Sequence, residues 1–571
     1  MKRNLLTIAL VAGVALTMQA RQRTLGEMRQ AAAGVLAVTS GVKGAPFNAA
    51  SLKVLHQASQ LTVMGTDNGG FAVISNDDAF TPVLGYSDQP FGKEHAPGFV
   101  WWMETMEKSL ANALETGNTD FTVRRDASYK SSVDELITAR WGQDKPFNNL
   151  APAYTESGEQ KRYVTGCVAT AMSMIMRHHK YPEHGMGKRQ YRFTPGDGSS
   201  GAMTLSADFE NTYYDWDNMI DVYTEGNYTD AQANAVATLM YHCGVAVKMT
   251  YSATGSGAYS SEACKALRNY FRYNGYIKVY SRTYFPKDEW MNLIYRELND
   301  GCPILYGGQS TSGGHEFILD GYNEQNLIHV NWGWNGSDNG FFDIAALHGY
   351  STGQELVEMR DSTDTRFNGY YRSLWGSDQN IRIAKNGTTA VTVNCDAIYQ
   401  MDLDDFTGNI DVVAMNQENG EMTYLARVIS FTRQQMRYGT SVSNVSAPVG
   451  NLPDGTYRIF LASMSTLAGK EDKEYQPVRS SESVANSYIV VIEGGVIKSL
   501  KIDRSGNWTA TGIADITDKA PAYGDNTVRV FDTTGRMVYS APRAAFNINN
   551  VEAKGVLVVK DGTEAKKIIR Q

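Results

Sequence analysis

The chain has 571 residues, 42% of them hydrophobic, and a formal net charge of −8. That composition supplies packed cores for several domains and excludes wholesale disorder. The acidic balance excludes a basic nucleic-acid binder, so no nucleic-acid partner is expected.

Met1-Lys2-Arg3 is a positive start, Leu5 to Met18 is an almost unbroken apolar run, and Ala20 precedes polar Arg21-Gln22-Arg23. That order is a secretory signal peptide over 1–20. The apolar run is too short to span a bilayer comfortably, so a membrane anchor is the weaker reading. Residues 21–120 then read as a small α+β unit. Ala31 to Val38 is apolar. Phe71 to Ser75 and Pro82 to Tyr86 read as strands around an Asn76-Asp77-Asp78 turn. Phe99 to Leu114 has helical spacing, with Trp102, Met106, Leu110 and Leu114 four apart. Arg124 to Ser132 is polar and basic, the kind of exposed stretch where chains are nicked.

The centre of the chain holds Cys167, Cys243, Cys264 and Cys302, and Cys395 follows. Few and odd-numbered cysteines do not suggest a disulfide scaffold, although a Cys243–Cys264 bridge stays open. No zinc spacing occurs, so neither a metal nor a cofactor is expected. From Val168 onward, positions 168, 171, 172, 175 and 176 make one apolar helical face. Gly166 permits a tight entry and puts Cys167 in the first helical turn. Amides and the helix dipole there lower a thiol's pKa, and a thiolate attacks carbonyls. A small buried residue is the plainer reading of that segment alone.

A thiol nucleophile needs a base. His315 follows Gly313-Gly314, which lets a substrate backbone approach, and precedes an apolar strand that would hold its ring. Leu327 to Val330 reads as a second strand, entering Asn331-Trp332-Gly333-Trp334. Asn331 could orient the His315 ring, and Trp332 could shield that hydrogen bond. The developing oxyanion needs donors, for which the Cys167 amide and the Gln143 side chain are candidates. Gln143 by itself is an ordinary loop glutamine. His178, His179, His242 and His329 read as structural. Beyond about 376, alternating segments at 390–393, 457–461 and 487–492, then 527–539, 555–560 and 566–570, are β throughout.

Trp141-Gly142-Gln143 with Pro146 and Asn148-Asn149, Thr165-Gly166-Cys167-Val168-Ala169-Thr170-Ala171-Met172, His179-Lys180-Tyr181-Pro182, the loop Tyr251 to Ser261, Gly313-Gly314-His315 and Val330-Asn331-Trp332-Gly333-Trp334 together resemble the streptopain family of papain-like cysteine peptidases. The resemblance covers roughly 130–375. It implies an α+β fold: a papain-like, two-lobed catalytic domain preceded by a small α+β prodomain and followed by β-sandwich domains. It implies Cys167 as nucleophile, His315 as base then acid, Gln143 as oxyanion donor, Asn331 and Trp332 as support, and Ser256 and Gly314 lining the substrate cleft. It also implies a zymogen, whose prodomain is an intramolecular inhibitor removed near Arg124-Arg125 or Lys130, and protein or peptide substrates. Val528 to Phe531, Gly535-Arg536 and Gly555 to Lys560 resemble the C-terminal sorting domain of the type IX secretion system, which implies that machinery as a partner. The expected divisions are 1–20 signal peptide, 21–125 prodomain, 126–375 catalytic domain, 376–510 β-sandwich and 511–571 sorting domain. Two other readings of the same residues remain: an acyl or peptidyl transferase, and an inert papain-like module on a surface adhesin.

Overall fold

The computed structural model describes residues 21–39, 49–253, 255–310, 313–347, 353–364, 366, 374–432, 439–467, 471–481, 484–503, 527–532, 537–543, 546–548, 551, 555–561 and 564–570. The signal-peptide reading, and Gly535-Arg536 of the terminal resemblance, lie outside these. The fold is mixed α/β and divides into two units. One comprises Met1–Thr122, Tyr322–Trp332 and Ser337–Ser351; the other comprises Val123–Gly321, Gly333–Gly336 and Thr352–Gln571. No helix among the described residues is long and apolar enough to cross a membrane.

In the first unit the apolar stretch at 31–38 belongs to a helix, Leu25–Thr39. Thr24 and Glu27 close its start reciprocally: the Glu27 amide donates to Thr24 Oγ1 and the Thr24 amide to Glu27 Oε2. Met28, Ala32, Val35 and Leu36 recur at three- and four-residue intervals and bury against Met64, Ala72 and Ile74. Those residues sit on an antiparallel sheet that runs Lys53–Gln57, Leu61–Gly65, Phe71–Ser75, Val83–Ser87, Gly340–Phe342, Ile328–Asn331. The first two strands escape the sequence reading. Leu61–Gly65 is buried at every position and therefore shows no alternation. Gly85 pairs with Phe342, and a Cβ at Gly85 would lie 2.4 Å from that ring. The missing side chain lets Val83–Ser87 join Gly340–Phe342.

The helix foreseen at 99–114 is Pro97–Thr116, with proline at its first turn and Gly117 at φ 73° ending it. Trp102, Met106 and Leu110 are buried and Leu114 is half-buried. Phe99 and Trp102 pack on Phe342 at ring separations of 5.5 and 4.9 Å. The Trp102 indole N–H donates to the Asp343 carbonyl at 3.0 Å. Strand pairing and aromatic packing thus join residues 83–110 to residues 328–347.

In the second unit the helix Cys167–His179 packs against Asp230–Ala246, whose start is closed by a Thr229/Gln232 capping box. The one-sided apolar face expected of the first helix is instead burial on every side from Val168 to Met176. Small Ala169, Thr170 and Ser173 let neighbours close over the remaining faces. Strand Ile304–Ser310 lies between Gly313–Tyr322 and Glu355–Val357, and Glu355–Val357 pairs in turn with Val279–Ser281. Arg124 to Ser132 carries no helix or strand and is mostly exposed, as expected.

After residue 374 the described elements of this unit are all strands. Arg382–Asn386, Ala390–Gln400 and Gly439–Pro448 form one antiparallel group. Gly408–Asn416, Met422–Phe431, Gly455–Ser465, Ser487–Glu493 and Val496–Asp503 form another. Val391, Val393 and Ile398 share one core with Ile410, Val412, Ile459, Leu461 and Val490. A buried Lys278–Asp402 ion pair and an Arg268–Asp404 pair at 2.6 Å fasten this region to the elements before it. Thr527–Asp532, Met537–Pro542, Gly555–Asp561 and Glu564–Arg570 make a separate antiparallel sheet.

Candidate active site

Gly166, at φ 87°, turns the chain into the helix that Cys167 begins. A Cβ at this position would lie 2.8 Å from Met249 Sδ and from the Ser256 carbonyl oxygen. Glycine is required here both by conformation and by space. The Gly166 carbonyl accepts from the Thr170 amide at 3.1 Å and from Thr170 Oγ1 at 3.0 Å. Thr165 Oγ1 meets Thr170 Oγ1 at 2.9 Å. The Thr165 amide donates to the Gln143 carbonyl at 3.1 Å. The turn carrying the thiol is therefore held from both sides of the cysteine.

His315 stands opposite Gly308, and Gly314 opposite Gln309, in the ladder between Ile304–Ser310 and Gly313–Tyr322. Cys167, Gly314 and His315 line one cavity of about 560 Å³, together with Tyr259, Ser260 and Glu316. The thiol is pushed up to about 11 by burial and the nearby Glu316 carboxylate, opposed by the amides of Glu316, Val168 and Cys167 itself. Those three amides act in the direction expected at a helix start, against the desolvation of a thiolate. Burial also lowers His315 below its ordinary value.

Gln143 is half-buried and does not line the cavity; its backbone is tied to Thr165. Ser256 is buried outside the lining, while its successors Gly257 and Ala258 line it. Asn331 and Trp332 belong to the first unit. Asn331 is fully buried at the end of Ile328–Asn331. The Trp332 indole N–H donates to the Asp338 carbonyl at 2.9 Å, and its amide donates to Asn339 Oδ1 at 3.0 Å. In the second unit the Asn335 amide donates to the Trp141 carbonyl at 3.1 Å, and a Cβ at Gly142 would strike the Asn335 side chain. The residues flanking Gln143 are therefore docked on the loop Gly333–Gly336.

The other cysteines are free, and burial raises each of them. His179 and His242 bond the hydroxyls of Tyr273 and Tyr214, and burial holds both down to about 4. Two features went unseen in the sequence. Glu316 was absorbed into an apolar strand, although a carboxylate beside the candidate base was the available signal. Asp338, which binds His95, lay in a loop with no pattern to mark it.

A thiol and an imidazole in one cavity, with glycines on the imidazole strand, are the equipment of thiol-dependent acyl chemistry. Residues 141–342 match the Peptidase C10 family model. Streptopain of Streptococcus pyogenes is 31% identical over 335 residues, spanning 56% of this chain and 80% of streptopain. Thiol protease/hemagglutinin PrtT of Porphyromonas gingivalis is 32% identical over 317 residues, 51% of this chain and 36% of that protein. A fragment of Prevotella intermedia prointerpain A is 41% identical, with a TM-score of 0.49, covering 54% of this chain and 97% of the fragment. Active interpain A from the same organism is 42% identical, with a TM-score of 0.37, covering 41% of this chain and 98% of that structure. The protein is a cysteine-type peptidase. It belongs to the streptopain family, Peptidase C10.

Proposed function

We propose that the chain is a secreted endopeptidase made as a zymogen, in which Cys167 and His315 form the catalytic dyad of a papain-like domain. The observation that carries this is the single cavity lined by Cys167, Gly314 and His315. As Cys167 Sγ bonds to the substrate carbonyl carbon, its proton passes to His315. The oxyanion accepts hydrogen bonds from the Cys167 amide and the Gln143 side chain. Collapse breaks the C–N bond, and His315 gives its proton to the leaving amine. Water then adds to the thioester, His315 takes its proton, and the acid departs as the proton returns to sulfur. Asn331 and Trp332 keep the supporting roles that the resemblance gives them. Gly314 and the chain around Ser256 border the substrate.

Residues 21–125 act as the prodomain. Their support is the strand Val83–Ser87 added to Gly340–Phe342, with the His95–Asp338 contact beside it. Release follows cleavage near Arg124-Arg125 or Lys130, in the exposed stretch. The same reading takes 376–510 as a β-sandwich and 511–571 as a type IX-like sorting domain, features of an enzyme exported from a bacterial cell. Transfer to an amine instead of water needs only another acceptor at the same thioester. Self-incubation followed by N-terminal sequencing tests the proposal. The wild-type protein should acquire a new N-terminus within about ten residues of Arg124 (our order-of-magnitude window for an exposed stretch), and Cys167→Ala should keep its original one. Identical processing of both proteins would refute it.

A further inference from the structure

Glu316 is 7% exposed, and its Oε1 has no hydrogen-bond partner among the described residues. Its Oε2 accepts only a long bond, 3.3 Å, from Ser260 Oγ. Leaving a buried carboxyl oxygen unpaired is costly, so this arrangement needs an explanation. The strand register supplies part of it. Gly307 is the ladder partner of Glu316 on one side and of Glu355 on the other. Directly opposed residues share a face of a sheet, so both carboxylates flank a position without a side chain. A Cβ at Gly307 would lie 2.3 Å from Glu316 Oε2. All three residues line the cavity that holds Cys167 and His315.

The other charges of that cavity are accounted for differently. Glu262 is answered by Lys265 at 2.8 Å and Arg189 at 3.7 Å. Lys248 is exposed at the rim and acts on Glu262. Burial and the Glu355 charge push the Glu316 carboxyl up to about 8, a shift that a bound cation would reverse. A guanidinium or ammonium on a long apolar stem suits such a recess: the stem fills it and the head meets the carboxylates.

We infer that Glu316, flanked by Glu355 across Gly307, makes this cavity a subsite for a lysine or arginine side chain on the acyl side of the scissile bond. The inference rests on the catalytic reading above and adds a preference to it. The same preference makes the basic run Arg124-Arg125 a natural self-processing site.

The test is a set of fluorogenic tetrapeptide amides in which each acyl-side position carries arginine or its uncharged isostere citrulline. At one position the wild-type enzyme should favour arginine by at least about tenfold in kcat/KM, the effect of one charge-assisted pair. In Glu316→Gln that ratio should fall to about one. Gly307→Ala, whose methyl displaces the carboxylate, should lower it as well. An arginine/citrulline ratio near one in the wild type, or an undiminished ratio in both variants, overturns the inference. Failure of the wild type to cleave any peptide would instead strike at the catalytic reading.

Discussion

His95 Nδ1 and Asp338 Oδ1 meet at 2.9 Å, and the other Asp338 oxygen accepts from the Ala96 amide at 2.8 Å. Asp338 also holds the Trp332 indole through its carbonyl. One residue thus connects the N-terminal segment to the turn that follows Asn331. Hydrogen bonds to a buried charge contribute about 1.5–3 kcal/mol. Asp338→Asn should loosen the N-terminal segment, and self-processing, followed by gel electrophoresis, should run several-fold faster. An unchanged rate would show that this contact does not hold the segment in place.

The Cys167 thiol, raised to about 11, is almost wholly protonated at neutral pH. Its thiolate fraction should grow about tenfold for each pH unit up to that value. Alkylation of the unprocessed protein by iodoacetamide, located by peptide mass mapping, should therefore be slow at pH 7 and climb steadily to pH 10. Rapid labelling at pH 7 that does not change with pH would mean that the sulfur rests as a thiolate.

Glu316 lies above its ordinary 4.5, at about 8, in the folded chain. A carboxyl raised by folding binds its proton more tightly folded than unfolded. Its contribution is therefore fully present below about pH 4.5 and is lost as pH rises to about 8. Glu358, also near 8, acts in the same direction. The Tm should fall across that window, and Glu316→Gln should flatten part of the fall. Parallel Tm curves for the two proteins would remove Glu316 from the account.

Gly166→Ala places a side chain at φ 87° against Met249 and the Ser256 carbonyl. With ψ at 145° the backbone sits in a region open essentially to glycine alone, and holding alanine there costs about 1–3 kcal/mol, before any displacement of those neighbours. Peptidase activity should drop by at least about tenfold while circular dichroism keeps its mixed α/β signature. Full activity would mean that the turn into the helix tolerates rearrangement.

Residues at the cavity were legible where chemistry and local pattern coincide. Gly166-Cys167 before a helical run and Gly313-Gly314-His315 before an apolar strand each carry both signals, and both segments line or adjoin the cavity. Strand Leu61–Gly65 was not legible from alternation, since it is buried at every position; Phe71–Ser75 is buried in the same way and is read from its apolar run into the Asn76-Asp77-Asp78 turn. Glu316 was missed because its meaning comes from Gly307 and Glu355, which neighbour it only through strand register.

The central claim is that one sulfur does the chemistry. Casein hydrolysis by the processed enzyme, compared with Cys167→Ala at equal concentration and matched circular dichroism, tests it most directly. The account predicts hydrolysis by the wild type and none above background by the alanine variant; hydrolysis by the variant at the wild-type rate would contradict it.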